Sequence, residues 1–267
     1  MKVAQLFSGF IALCFLNISA AHAQEDTAGD EYMKMGEAFK KSSLPDSAVF
    51  YFKMASEMYQ AKSNIEKRIN AYNQAATILA RQDKYAEAKD LLKKSLDEGL
   101  FVLDSNNLNI ATTYLTMGVV YAAEDKFAQS IKYHEKALQI WLKLLGENSA
   151  DVATSYGNIG NVYFRSKDFK KALTAHLKTL QIREVVFGPK AAELTQSFNN
   201  LGNTYKELKD YPNSAKYHQM ALENKLVQVG AGSMELKKYY LNLSELHYLM
   251  NNKEQGDNFK SLANFLK

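Results

Sequence analysis

The sequence predicts an all-α chain, a right-handed α-solenoid of about six helix-turn-helix repeats. Three observations carry this expectation. The chain is self-similar at a fixed period of 42 residues, and such a period marks stacked repeats. Only three prolines occur in 267 residues, so long helices run without the backbone donor that proline removes. Gly146, Gly188 and Gly230 recur at the same period, where a helix would stop.

The repeat is read most easily in the middle of the chain. Ala111-Thr-Thr-Tyr-Leu-Thr-Met-Gly-Val-Val-Tyr121 is echoed by Ala153-Thr-Ser-Tyr-Gly-Asn-Ile-Gly-Asn-Val-Tyr163 and by Thr195-Gln-Ser-Phe-Asn-Asn-Leu-Gly-Asn-Thr-Tyr205. Lys237-Lys-Tyr-Tyr-Leu-Asn-Leu-Ser-Glu-Leu-His247 continues the series. Windows 111–152 and 153–194 are identical at 14 of 42 positions. Backwards, Tyr72, Ala76 and Leu79 fall in frame, and a repeat shortened by two residues aligns Gly36, Phe39, Ala48 and Ala55. The predicted repeats are 29–68, 69–110, 111–152, 153–194, 195–236 and 237–267.

Within each repeat, Tyr156, Ile159, Gly160 and Tyr163 typify the first helix, whose apolar residues share one face. Gly118, Gly160 and Gly202 leave room for a crossing helix, as do Ala76 and Ser244. Turns are expected at Glu124-Asp-Lys, Ser166-Lys-Asp and Leu208-Lys-Asp, before second helices that open at Phe127, Phe169 and Tyr211. Small residues at Ser130, Ala172 and Ser214, and again at Ala137, Thr179 and Ala221, allow close approach. The glycines are expected to end the second helices in a left-handed conformation. One such pair cannot bury its own apolar face, whereas stacked pairs can, with first helices lining an inner groove.

The small, aromatic and alanine positions together resemble the tetratricopeptide repeat family over about residues 29 to 267. The 42-residue period resembles the kinesin light chain form and the exported repeat blocks of bacterial proteins. The proline that closes many shorter repeats is missing. Lys253, Gly256 and Lys260 stand where aromatic, small and aromatic residues are expected, and Pro45 sits at the first turn. Terminal repeats drift because one face meets water.

Residues 1–23 read as a cleavable signal peptide. Lys2 precedes a mostly apolar run from Val3 to Ile18, and Ala21-His-Ala23 supplies the small-x-small cleavage pattern. Cleavage after Ala23 would leave Gln24 first and 24–28 as a short linker, in a periplasmic or secreted protein. Ser8, Gly9 and Asn17 interrupt the run, and a spanning helix needs about 20 apolar residues. No stable membrane insertion is therefore expected after cleavage. Cys14, the one cysteine, lies inside the leader, and Leu13 before it is too large for a lipoprotein signal. The mature chain would lack disulfide and thiolate chemistry. Net charge is +4, and loss of Lys2 leaves +3. Interspersed lysines and acids read as solvated helix faces, without a nucleic-acid stripe.

No nucleophile–base set and no phosphate-binding glycine loop appears, so no catalysis and no cofactor is expected. His134, His176 and His218 recur at the period. Equivalent positions on stacked helices lie about 8–10 Å apart, too far to share one zinc ion with bonds of about 2 Å. They are read as core residues, at a position where the family usually carries an aromatic.

The resemblance also implies a binding face. The family's groove positions fall on Asn70, Asn73, Thr77 and Arg81 in the second repeat, and on Thr154, Asn161, Phe164 and Arg165 in the fourth. They fall on Gln196, Asn199, Asn203, Lys206 and Glu207 in the fifth, and on Lys238 and Tyr248 in the sixth. Asn161 and Asn203 follow the glycine, where peptide-binding members carry an asparagine. An amide donates and accepts together, which suits a peptide bond. Asparagine is disfavoured inside helices, so its recurrence asks for a reason. Gly157 and Asn199 occupy positions where a carboxylate-clamp lysine would stand. The expected activity is a non-catalytic scaffold for a peptide or protein segment with an acidic group or free C-terminus. The alternative is a sensor or regulatory module working with a separate signalling partner, because no kinase or DNA-binding segment follows in these residues. The C-terminal repeat is a further candidate, for self-association.

Overall fold

The computed structural model describes residues 27–60 and 64–266. The expected leader, its cleavage site after Ala23 and Cys14 lie outside the described residues. Among those residues the chain is all-α, with twelve α-helices and no strand. They are α1 (27–41), α2 (Pro45–Met58), α3 (Ile65–Arg81), α4 (Tyr85–Val102), α5 (Leu108–Ala123), α6 (Phe127–Leu145), α7 (Ala150–Arg165), α8 (Phe169–Phe187), α9 (Leu194–Glu207), α10 (Tyr211–Val229), α11 (Lys237–Leu249) and α12 (Lys253–Phe265). By internal contacts the chain separates into two compact units, 1–126 and 127–267. No described helix is long and apolar enough to cross a membrane.

In the N-terminal unit, α3 packs on α2 and α4, and α5 packs on both α3 and α4. The core holds Phe52, Tyr59, Ile69, Leu79, Leu92 and Ile110, all essentially inaccessible. Gly36 lies against the Phe52 ring: a Cβ there would meet ring carbon at 2.6 Å. Asp30 accepts a hydrogen bond from the Tyr59 hydroxyl and pairs with Lys67 at 2.9 Å. These two contacts hold its carboxyl below the usual range.

In the C-terminal unit each helix packs on the next, from α6 through α12. Leu194, Phe198, Leu201, Leu222, Leu236 and Leu243 form one buried cluster. Each fully buried leucine contributes about 1.5–3 kcal/mol. Gly160 and Gly202 are small because an imidazole of the same hairpin occupies the space. A Cβ on Gly160 would meet His176 at 2.6 Å, and one on Gly202 would meet His218 at 2.6 Å. Both imidazoles sit in the same register as Phe52 over Gly36, sixteen residues after the small residue.

The turns inside the hairpins carry most of the local specification. Ser43, Asp83, Asp125, Lys167, Lys209 and Asn251 all have φ between 57° and 64°. The next residue's N–H reaches back over each turn, as in Asp168 to the Tyr163 carbonyl at 2.9 Å and Asp210 to the Tyr205 carbonyl at 2.9 Å. This is the Schellman closure. The Asp168, Asp210 and Asn252 side chains then cap the next helix by accepting from the N–H of Lys171, Asn213 and Gln255. The glycines that end the long helices differ from expectation. Gly188 has φ 87°, ψ 161° and Gly230 has φ 76°, ψ 160°. That is an extended positive-φ region open essentially only to glycine. The left-handed turn lies inside the hairpins, on non-glycine residues.

Candidate peptide-binding site

The groove positions predicted from sequence divide by unit. In the N-terminal unit, Asn70 and Arg81 are exposed. Asn73 is a correction. It is 4% exposed and donates from Nδ2 to Thr113 Oγ1 at 3.1 Å, and Thr113 in turn shares a hydrogen bond with Ser95 at 2.9 Å. Helix α5 covers this side of α3, so Asn73 belongs to a buried polar link among α3, α4 and α5.

In the C-terminal unit the amides of the first helices come together. Asn161 of α7 accepts from Asn200 Nδ2 of α9 at 3.1 Å. Asn199 and Asn203 flank Asn200 on the same helix, both half-buried. The Asn199 Oδ1 is buried without a hydrogen-bond partner, although buried polar atoms are ordinarily paired. Asn199, Gln196, Lys238 and Tyr239 share the wall of a cleft of about 300 Å³. Asn200 was not among the predicted residues. The signal for it was legible, because Asn158 and Asn242 stand at the equivalent positions one repeat before and one repeat after, with Thr116 breaking the series earlier.

Four predicted residues turn out to have structural partners. Phe164 packs edge-on to Phe169 at 5.4 Å, on the start of α8. The Arg165 guanidinium lies 5.5 Å from the Phe127 ring centroid. Lys206 is paired with Glu245 of α11 at 3.1 Å, so its charge is already met within the fold. Tyr248 donates to Asp257 at 2.6 Å, and its ring fills the space over Gly256. Lys238 is exposed, 5.0 Å from the Tyr239 ring centroid.

The recurrent histidines are buried to 1–2% exposure. Burial pushes the pKa of each down to about 4, with the Arg183 charge adding to the effect at His176 and the Lys206 charge at His218. They are neutral packing groups at pH 7. No cluster of three His, Cys, Asp or Glu able to hold a metal occurs among the described residues.

Comparisons with known proteins agree with this geometry. Tetratricopeptide repeat profiles match residues 109–184 and 151–226, and a second such profile matches 68–97. The chain belongs to the tetratricopeptide repeat family. Solved structures of similar fold include BtubC (BKLC) from P. vanneervenii, with a TM-score of 0.70 at 15% identity, covering 91% of this chain and 90% of that one. A putative kinesin light chain repeat protein from Podosopora anserina has a TM-score of 0.67 at 11% identity, covering 78% and 96%. PilF from Pseudomonas aeruginosa has 0.63 at 14%, covering 88% and 90%. A search of the curated proteins found no match. Tetratricopeptide repeats generally mediate protein–protein interaction, and the fold is generally a non-catalytic scaffold.

Proposed function

We propose that this tetratricopeptide protein is a non-catalytic adaptor that holds a peptide or protein segment on the first-helix face of its C-terminal unit, outside the cytoplasm. The observation that carries the reading is the amide row. Asn161, Asn199, Asn200 and Asn203 gather on α7 and α9, joined by one 3.1 Å hydrogen bond and leaving the Asn199 oxygen unpaired. Such a row offers donors and acceptors to the backbone of an extended segment. The export part of the reading rests on residues 1–23 alone.

The test is affinity capture from the native envelope fraction, followed by binding isotherms for variants. Asn161→Ala with Asn203→Ala should weaken binding about tenfold or more, from about 0.5–1.5 kcal/mol per lost hydrogen bond. The melting temperature should hold, because both side chains lie at the half-buried surface. Binding as tight as the parent's would dismiss the groove. Mass spectrometry of the native protein should find Gln24 first, and an intact leader in the cytoplasm would dismiss export.

A further inference from the structure

We infer that Arg183 forms a carboxylate-binding subsite in the C-terminal unit, and that it reads the acidic group of the bound segment. The inference rests on the groove reading above and assigns the acid recognition to a residue outside the groove set.

Arg183 lies near the end of α8, half-buried. Its Nη1 donates to Ser197 Oγ at 2.9 Å and to the Glu193 carbonyl at 3.3 Å. Both acceptors are neutral, and no carboxylate lies within ion-pair distance among the described residues. Burial pulls the guanidinium below its usual range, opposed by the more distant Glu193 charge. It remains protonated at neutral pH, as arginines in proteins do. A charge partly withdrawn from water with only the more distant Glu193 carboxylate to offset it is a costly arrangement, and a carboxylate in direct contact would relieve it.

The repeat supplies an internal control. Forty-two residues before Arg183 stands Trp141, buried at 3% exposure. Forty-two residues after it stands Lys225, which pairs with Glu235 at 2.7 Å. Glu235 is the equivalent of Glu193. So the same two positions close an ion pair in one repeat, whereas in the preceding repeat the cation is held by Ser197 and a backbone carbonyl while Glu193 stays exposed. Tyr239 replaces Ser197 in the closed pair.

Arg183 also faces a space. It lines a cleft of about 240 Å³ together with Ala150, Thr154, Phe187, Glu193 and Gln196. The cleft joins the start of α7, the end of α8 and the start of α9. Phe187 offers an apolar wall, Gln196 an amide, and Arg183 its unused N–H groups. That combination suits a carboxylate on a short stem. A chain terminus and an aspartate or glutamate side chain share this chemistry. Of the two cations expected from sequence to read the acid, Lys206 is already paired with Glu245 and Arg165 lies over the Phe127 ring.

The test follows arginine side-chain N–H signals by NMR in the full chain. Three probes are titrated: N-acetylglycine for a chain terminus, N-acetylaspartate α-amide for an acidic side chain, and N-acetylglycinamide as the neutral control. Saturable shifts of the Arg183 signal are expected with at least one carboxylate, and none with the control. Whichever acid binds tighter names the source. Arg183→Gln should weaken that binding about tenfold or more, whereas Glu193→Gln should keep or tighten it by removing a like charge. Equal binding by wild type and Arg183→Gln, the absence of any carboxylate-dependent shift, or loss of binding in Glu193→Gln would overturn the subsite. The groove reading fails separately. It is tested by Asn161→Ala with Asn203→Ala on a captured partner, and neither asparagine lines this cleft.

Discussion

Two glycines three residues apart on α7 should respond to alanine in opposite directions. A Cβ on Gly157 would meet Thr179 at 3.5 Å, an ordinary contact, whereas a Cβ on Gly160 would meet two ring atoms of His176 at 2.6 Å. Both substitutions gain about 1 kcal/mol of helix propensity. Only the second must drive the imidazole back, by roughly 0.8 Å from an ordinary contact, in a well-packed core. His176 is 2% exposed and has little room to yield. Overpacking of this kind costs about 1–3 kcal/mol. Gly157→Ala should therefore stabilise by up to about 1 kcal/mol, and Gly160→Ala should fall below it by about 1–3 kcal/mol. Because propensity is common to both, the difference isolates the clash. In melting temperature, each kcal/mol is about 2–4 °C for a chain of this size, readable by circular dichroism at 222 nm. Repeating both substitutions in a His176→Ala background should erase the difference, since the ring is gone. If Gly160→Ala is as stabilising as Gly157→Ala in the parent, the imidazole does not occupy that space and the packing account fails.

Two further outcomes follow from buried polar groups. His134, His176 and His218 have folded pKa values near 4, below an unfolded value of about 6.5. The unfolded chain then binds more protons between those limits, so their stabilisation is complete above about pH 6.5 and is lost as pH falls toward 4. Unfolding free energies from urea titrations at pH 7 and pH 5 should differ by about 1–2 kcal/mol per imidazole. His176→Phe with His218→Phe, which copies the pairing of Phe52 over Gly36, should flatten that slope; an unchanged slope would refute the assignment. Asn73→Ala should cost about 0.5–1.5 kcal/mol through its lost hydrogen bond to Thr113, which keeps Ser95 and the Asn109 carbonyl as partners, while exposed Asn70→Ala should stay within about 0.5 kcal/mol; equal effects in thermal melts would contradict the buried link.

Periodicity made the fold class legible, since a helix presents every third or fourth residue to one side. It assigned Gly160 a crossing and His176 a core place, and both are observed. What periodicity does not encode is which neighbour lands on a given side. Asn70 and Asn73 are three residues apart and both polar, yet α5 covers only the second. Lys206 looked available because its partner Glu245 lies 39 residues away, on another repeat. Arg183 sits on a second helix, outside the positions that family resemblance marks as groove. Its signal was present as a charged residue in register with buried Trp141, and it would have been found by asking which repeat departs from its neighbours.

The last hairpin shows what the repeat actually preserves. In the fifth repeat, Ser214 of α10 donates to the carbonyl of Gly202 on α9 at 2.7 Å. In the sixth, Ser244 of α11 donates to the carbonyl of Gly256 on α12 at 2.8 Å. The serine and glycine have exchanged helices, and the hydrogen bond across the crossing has reversed direction with them. Gly256 is therefore no lost position, because the constraint acts on the summed bulk of the two helices where they cross. The aromatic is replaced by similar means. Lys260 stands where His218 stood, and the space over the small residue is filled by Tyr248, from the end of the opposite helix. The Tyr248 hydroxyl is then tied down by Asp257 at 2.6 Å. A ring can thus seat over the crossing from either helix, provided that the facing residue is glycine. This exchange withdraws Tyr248 from the binding set, because both its ring and its hydroxyl are engaged within the last hairpin.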